Sequence, residues 1–213
     1  MKCLLLGVFV AFSGFVWGNQ TIAKGLEVSK LKVQIYYESL CPDCIQFFKK
    51  QLQKSMREKD RLPYTDLELV PFGFAKIEQD PATNDLVIRC QHGDKECKVN
   101  ALHACVLENS EPEAAFYAIS CMMSSYPPKV KMCAKKFHLN LEPIVKCCRD
   151  RTIPEILDKY GRETAAINPQ SVPAVALDGI FKPDEQDQLT SEFDKMFCRA
   201  YKDKFGIQLE DCE

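Results

Sequence analysis

Two cysteines separated by two residues, Cys41-Pro42-Asp43-Cys44, are the part of this 213-residue chain best suited to chemistry. A thiolate attacks a disulfide sulfur, and a second thiol nearby can resolve the mixed disulfide that forms. What precedes and follows the pair decides whether such a thiolate exists. The alternating run Leu31–Tyr37 predicts a strand, and Pro42 suits the first position of a helix, where its missing N–H costs nothing. Cys41 is then expected at the helix N-terminus, where unpaired N–H groups and about half a positive charge favour an anion. Such settings lower a cysteine pKa from about 8.5 into the range of about 3.5 to 7.5. Cys44, nearly one turn in, is expected to be less exposed. The roles follow: Cys41 attacks and Cys44 resolves. The pair has two other possible uses. Half a zinc site needs a second Cys-x-x-Cys or a His-x₃₋₅-His, which the chain lacks, so neither metal nor cofactor is expected. A permanent structural staple is the other.

The elements that would position the pair are legible further on. Ile45, Phe48, Leu52 and Met56 make one apolar helical stripe, and Leu67–Phe72 predicts a second strand. Strand, helix and strand form a βαβ unit with parallel pairing. A helical block follows over about 84–165 and holds most of the cysteines. Its helices are expected at Val99–Glu108, at Pro112–Met123, and from a Thr152–Glu155 capping box to a stop at Gly161. Strand character returns at Val172–Leu177. Asp178-Gly179 then signals a hairpin turn into Ile180-Phe181. Asp184 is the expected cap of a last helix carrying Leu189, Phe193, Phe197 and Tyr201 on one face. The fold class is α/β: two halves of one sheet, with the helical block inserted between them.

Composition sets the compartment. Lys2, the apolar run to Phe12 and the small residue Gly18 predict a secretory leader over residues 1–18, too short for a membrane span. Beyond it, 27 basic face 30 acidic residues, a net charge of −3 that argues against a nucleic-acid partner. No other stretch is apolar enough for a bilayer, so no membrane association is expected. Eleven cysteines remain in residues 19–213, which in an oxidising compartment means a disulfide framework. Setting Cys41 and Cys44 aside leaves nine, so at least one is free or joins another chain. The one glycosylation sequon is Asn19-Gln20-Thr21.

Val172-Pro173 resembles the cis-proline loop that, in thioredoxin-like proteins, packs beside the dithiol and presents backbone to substrate. A longer likeness lies between. Cys90-Gln91-His92-Gly93, Glu96, Cys97, Asn100 and Cys105 match every fixed position of the signature CQHGxxECxxNxxxxC. That signature resembles the gamma-interferon-inducible lysosomal thiol reductases. The likeness extends to Tyr36–Cys44, Val70–Gly73 and Val172-Pro173. It implies a thioredoxin-like fold with a disulfide-rich helical insertion, and reduction of protein disulfides at acidic pH through Cys41 and Cys44. It implies a structural role for the signature, with its cysteines bracing the insertion and Asn100 capping or pinning a turn. His92 is a candidate proton shuttle, though a satisfied structural histidine is the commoner case.

The chain departs from the family pattern in three ways. Phe74 stands where an Asn is usual, Ala174 where an aromatic follows the proline, and Cys148 and Cys212 are additional. Cys212 is the candidate for a disulfide-linked homodimer, with a bridge to Cys148 equally open. The expected partners are disulfide-bonded protein substrates and a small-thiol or protein reductant, in the lysosome or outside the cell. An oxidase or isomerase on the same fold, and a secreted binding protein with a vestigial dithiol, are the competing functions. Sequence does not separate reductase from oxidase, because potential depends on how the reduced thiolate is held.

Overall fold

A computed structural model describes residues 28–212. The expected leader and Asn19 lie outside them. Strand β1 (Leu31–Tyr37) buries Leu31, Val33 and Ile35 completely, as its alternating sequence requires. Helix α1 (Pro42–Phe47) follows with Pro42 in its first turn, then widens into two π-helical turns, Phe48–Leu52 and Lys54–Glu58. The wider turns still bury Phe48, Leu52 and Met56, and bring Phe47 into the core as well. Strand β2 (Thr65–Pro71) lies parallel to β1, with Val33 opposite Leu67 and Tyr37 opposite Pro71.

The next stretch holds an element the sequence pattern does not announce. Strands β3 (Lys76–Gln79) and β4 (Leu86–Arg89) pair as an antiparallel hairpin of their own. β3 is exposed at every position, so it carries no apolar alternation to read. Five helices follow: α2 (Asp94–Glu108), α3 (Pro112–Met122), α4 (Val130–Lys136), α5 (Leu141–Asp150) and α6 (Ile153–Ile167). The Thr152–Glu155 capping box is present, but α6 continues through Gly161 and ends at Asn168 in the left-handed conformation. Gly161 serves packing instead: a Cβ there would stand 2.9 Å from the Phe72 ring.

Strand β5 (Ala174–Leu177) returns antiparallel to β1 and turns at Asp178-Gly179, both at positive φ, into β6 (Ile180–Phe181). The sheet order is β2-β1-β5-β6, with β1 at its interior. The expected last helix is two: α7 (Gln186–Ser191) and α8 (Phe193–Phe205), broken at Glu192. Asp184 falls within a 3-10 turn, Pro183–Glu185, rather than capping a helix. The break lets Phe193 meet Phe47 with ring centres 5.7 Å apart, and Phe197 and Tyr201 continue that aromatic row.

Four disulfides join Cys90–Cys97, Cys105–Cys147, Cys121–Cys133 and Cys198–Cys212. The last corrects the expectation for Cys212, which reaches neither another chain nor Cys148. The C-terminal turn after Gly206 folds back on α8 and brings Cys212 to Cys198. Cys148, exposed, is the odd cysteine; with Cys41 and Cys44 it is free among the described residues. No described helix is long and apolar enough to cross a membrane.

Candidate active site

The dithiol sits where β1 ends at the middle of the sheet. Cys41 is the N-cap of α1: its backbone is extended and its Sγ accepts the Cys44 N–H at 3.4 Å. Cys44 is wholly buried, whereas Cys41 keeps 7% of its surface. That difference in setting drives the two thiols apart. A hydrogen bond from the Cys44 thiol, then the N–H groups of Cys44 and Asp43, bring Cys41 down to about 6 against the opposing effect of burial. Burial first, then that same interaction with Cys41, push Cys44 well above the ordinary cysteine range.

The turn between β1 and Cys41 is held from outside its own sequence. Ser39 N–H donates to Asn100 Oδ1 at 2.9 Å, and Leu40 N–H to Glu96 Oε2 at 3.3 Å. Both acceptors stand in the first two turns of α2. Glu96 also accepts the His92 N–H, and Cys90–Cys97 closes the loop that carries His92. The signature segment therefore supports the turn before the dithiol directly, a contact beyond the bracing expected of it. Asn100 holds the Ser39 end of the turn that leads to Cys41. Cys105 is remote from this cluster and ties α2 to α5 through Cys147. Gln91 is exposed and makes no side-chain hydrogen bond here.

On the other side of the dithiol, the cis peptide Val172-Pro173 brings the Val172 carbonyl to 3.9 Å from Cys41 Sγ. Gln186 on α7 fixes this loop by gripping both the N–H and the carbonyl of Val175, at 2.8 and 2.9 Å. Val172 and Pro173 line an open groove with Asp43, Phe47, Lys50 and Thr190. Ala174 is fully buried and does not enter that groove.

Sequence reasoning missed Glu38. It is fully buried, and its N–H points at Cys44 Sγ at 3.5 Å. Burial raises its carboxyl to about 7, opposed by the Phe74 N–H that donates to Oε1 at 2.7 Å. Gly73, at φ 60, exists to admit it: a Cβ there would lie 2.2 Å from Glu38 Cγ. The available signal was a carboxylate continuing a buried strand three residues before the dithiol. Glu38, His92 and Glu96 are also the described side chains whose grouping suits a metal ion.

A turn carrying a dithiol between strand and helix, faced by a proline loop, in a sheet whose halves are separated by a helical insertion, defines a thioredoxin-like fold. The reduced disulfide bond oxidoreductase DsbG of Mycobacterium tuberculosis shares this fold with a TM-score of 0.54 at 16% identity, over 84% of this chain and 80% of that one. Residues 32–137 match the family described as gamma interferon inducible lysosomal thiol reductase. GILT-like protein 2 of Drosophila melanogaster is 41% identical over 99% of this chain and 97% of its own length. The gamma-interferon-responsive lysosomal thiol protein of Arabidopsis thaliana is 34% identical over 82% and 72%. The chain belongs to this thiol reductase family, and is a thiol–disulfide oxidoreductase.

Proposed function

We propose that the chain reduces disulfides of protein substrates at acidic pH, with Cys41 as nucleophile and Cys44 as resolving thiol. The observation that carries this is the inequality of the two thiols. A Cys41 of pKa about 6 is about one-tenth thiolate at pH 5, against about 0.03% for an ordinary cysteine of pKa about 8.5. A buried, protonated Cys44 leaves Cys41 as the nucleophile of the pair.

The electrons balance over two exchanges. Cys41 thiolate attacks one sulfur of the substrate disulfide, forming a mixed disulfide and releasing the other sulfur as a thiolate that takes up a proton. Cys44 then loses its proton and attacks Cys41 Sγ, and the second substrate sulfur leaves. The substrate gains two electrons and two protons; the enzyme ends as a Cys41–Cys44 disulfide. A thiol reductant, small or protein-borne, restores the dithiol by the same exchange in reverse. The groove beside Cys41, with the Val172 carbonyl at its edge, suits an extended polypeptide presenting backbone N–H groups. Four disulfides in a chain of this size favour an oxidising route through the secretory pathway, with the lysosome or the exterior as destination and Asn19 as a glycan acceptor.

The test is reduction of a denatured, disulfide-bonded protein at about pH 4.5 and about pH 7. The native chain is expected to act at the acidic pH, and Cys41→Ser to be inactive. Cys44→Ser is expected to accumulate a covalent adduct with substrate through Cys41. No reduction at either pH would sink the proposal.

A further inference from the structure

Three side chains beside the dithiol, but not part of it, converge where β1 ends against the start of α2. Glu38 Oε2 is buried without a hydrogen-bond partner, and it lies 3.4 Å from His92 Nδ1. Glu96 Oε2 lies 2.6 Å from the same nitrogen. One ligand atom from each of the three falls within 4.8 Å of the others. We propose that Glu38, His92 and Glu96 bind one divalent transition cation of the zinc type, through His92 Nδ1 and one oxygen of each carboxylate.

The donor set selects the class of ion. Imidazole beside carboxylate suits zinc and its neighbours better than calcium or magnesium, which favour oxygen alone. Two carboxylates and a neutral imidazole balance a double positive charge. They also outweigh the positive end of α2, which would otherwise oppose a cation. Tetrahedral ligands on bonds of about 2.1 Å stand roughly 3.4 Å apart. The Glu38–His92 pair already has that separation, and the Glu96–His92 pair must open by about 0.8 Å from its hydrogen-bonded distance.

The surroundings hold the ligands as an outer shell would. Phe74 N–H fixes the other oxygen of Glu38 at 2.7 Å, and His92 N–H fixes the other oxygen of Glu96 at 3.1 Å. Leu40 N–H supports the coordinating oxygen of Glu96 at 3.3 Å. Both carboxylates are fully buried, while the His92 side chain keeps 33% of its surface, which gives the ion a way in and a fourth position for water. A buried carboxylate oxygen without a hydrogen bond is costly, and a cation supplies its missing partner. Such an ion would brace the end of β1 to α2 beneath the turn that carries Cys41. The arrangement competes with a simpler one, in which protonated His92 bridges the two carboxylates and needs no ion.

The experiment separates this site from the thiols, so it does not depend on the reductase reading. The full chain carrying Cys148→Ser, with Cys41 and Cys44 oxidised to a disulfide, offers no free thiol among its described cysteines. Zinc chloride titrated into it near pH 7 by calorimetry is expected to saturate at one ion per chain, and to raise the melting temperature. His92→Ala is expected to weaken binding by more than about tenfold and to abolish the thermal shift. His138→Asn, on an exposed turn, is expected to bind as the reference does. Glu38→Gln should match His92→Ala; should that variant not fold, the His92 comparison stands alone. No saturable binding, or binding unchanged by His92→Ala, would overturn the proposal in favour of the bridged, ion-free cluster.

Discussion

At the scale of single residues, each thiol of the dithiol sets the other's chemistry. The largest influence lowering Cys41 is the hydrogen bond from the Cys44 thiol, ahead of the N–H groups at the helix start. The same contact, added to burial, raises Cys44. The proton is shared unequally, and Cys44 is both the proposed resolving group and the largest influence that lowers Cys41. Cys44→Ala should therefore move the Cys41 midpoint upward from about 6 toward the ordinary cysteine range, without restoring it fully, because the Cys44 and Asp43 N–H groups remain. The rate of Cys41 alkylation by iodoacetamide against pH measures this, with Cys148→Ser as background. An unchanged midpoint would assign the lowering to the backbone alone. The sign is fixed: reactivity rises with pH through the midpoint, so a raised pKa slows alkylation most on the acid side.

At the scale of elements, the turn that carries the dithiol depends on a helix some sixty residues further along the chain. Asn100 and Glu96 present their acceptors to Ser39 and Leu40 from the first two turns of α2. Asn100→Ala leaves the buried Ser39 N–H unpaired and should cost about 1–3 kcal/mol in urea unfolding. It should also broaden the pH profile of Cys41 alkylation, since the N-cap loses its fixed approach. A loss within about 0.5 kcal/mol would mean the turn holds itself. Much of this level was legible beforehand. The β1 alternation, Pro42 at the helix start and Asp178-Gly179 at the hairpin are local signals with local causes, and the structure has all three. What escaped was non-local. Gly161 resembles a helix stop, yet it is a point where α6 must pass close to Phe72, a partner invisible in the local sequence. In the β3–β4 hairpin β3 is exposed throughout and β4 buries Ile88 alone, so neither strand shows a period to read. Glu38 stood in plain view before the dithiol, but only the fold shows that it is wholly buried between Cys44 and His92. An odd cysteine count says that one is free, not which one, and the structure leaves Cys148 free and pairs Cys212 with Cys198.

At the scale of the whole molecule, an enzyme proposed for an acidic compartment carries a buried group that acid works against. His103 lies fully buried on α2, with Nδ1 3.2 Å from the Tyr37 hydroxyl and no partner for Nε2. Burial pushes its pKa down to about 3 from the ordinary 6.5. As pH falls through about 6.5, the unfolded chain takes up a proton at this residue that the folded chain refuses until about 3. Stability is thus lost on acidification across that window, by up to about 1.4 kcal/mol per pH unit, and levels off below it. The four disulfides act in the other direction without regard to pH, because they restrict the unfolded chain. Cys105–Cys147 has the largest sequence separation, 42 residues, and joins α2, the helix of His103, to α5. His103→Gln keeps a polar side chain within reach of Tyr37 but does not titrate. Its stability should fall less steeply than that of the native chain as pH drops from about 6.5 to about 4, the difference approaching one proton. Urea midpoints taken at several pH values for both proteins give the two slopes directly, whatever the variant costs in absolute stability. Parallel slopes would show that His103 takes its proton in the folded state, and that the interior around Tyr37 admits more water than its complete burial implies.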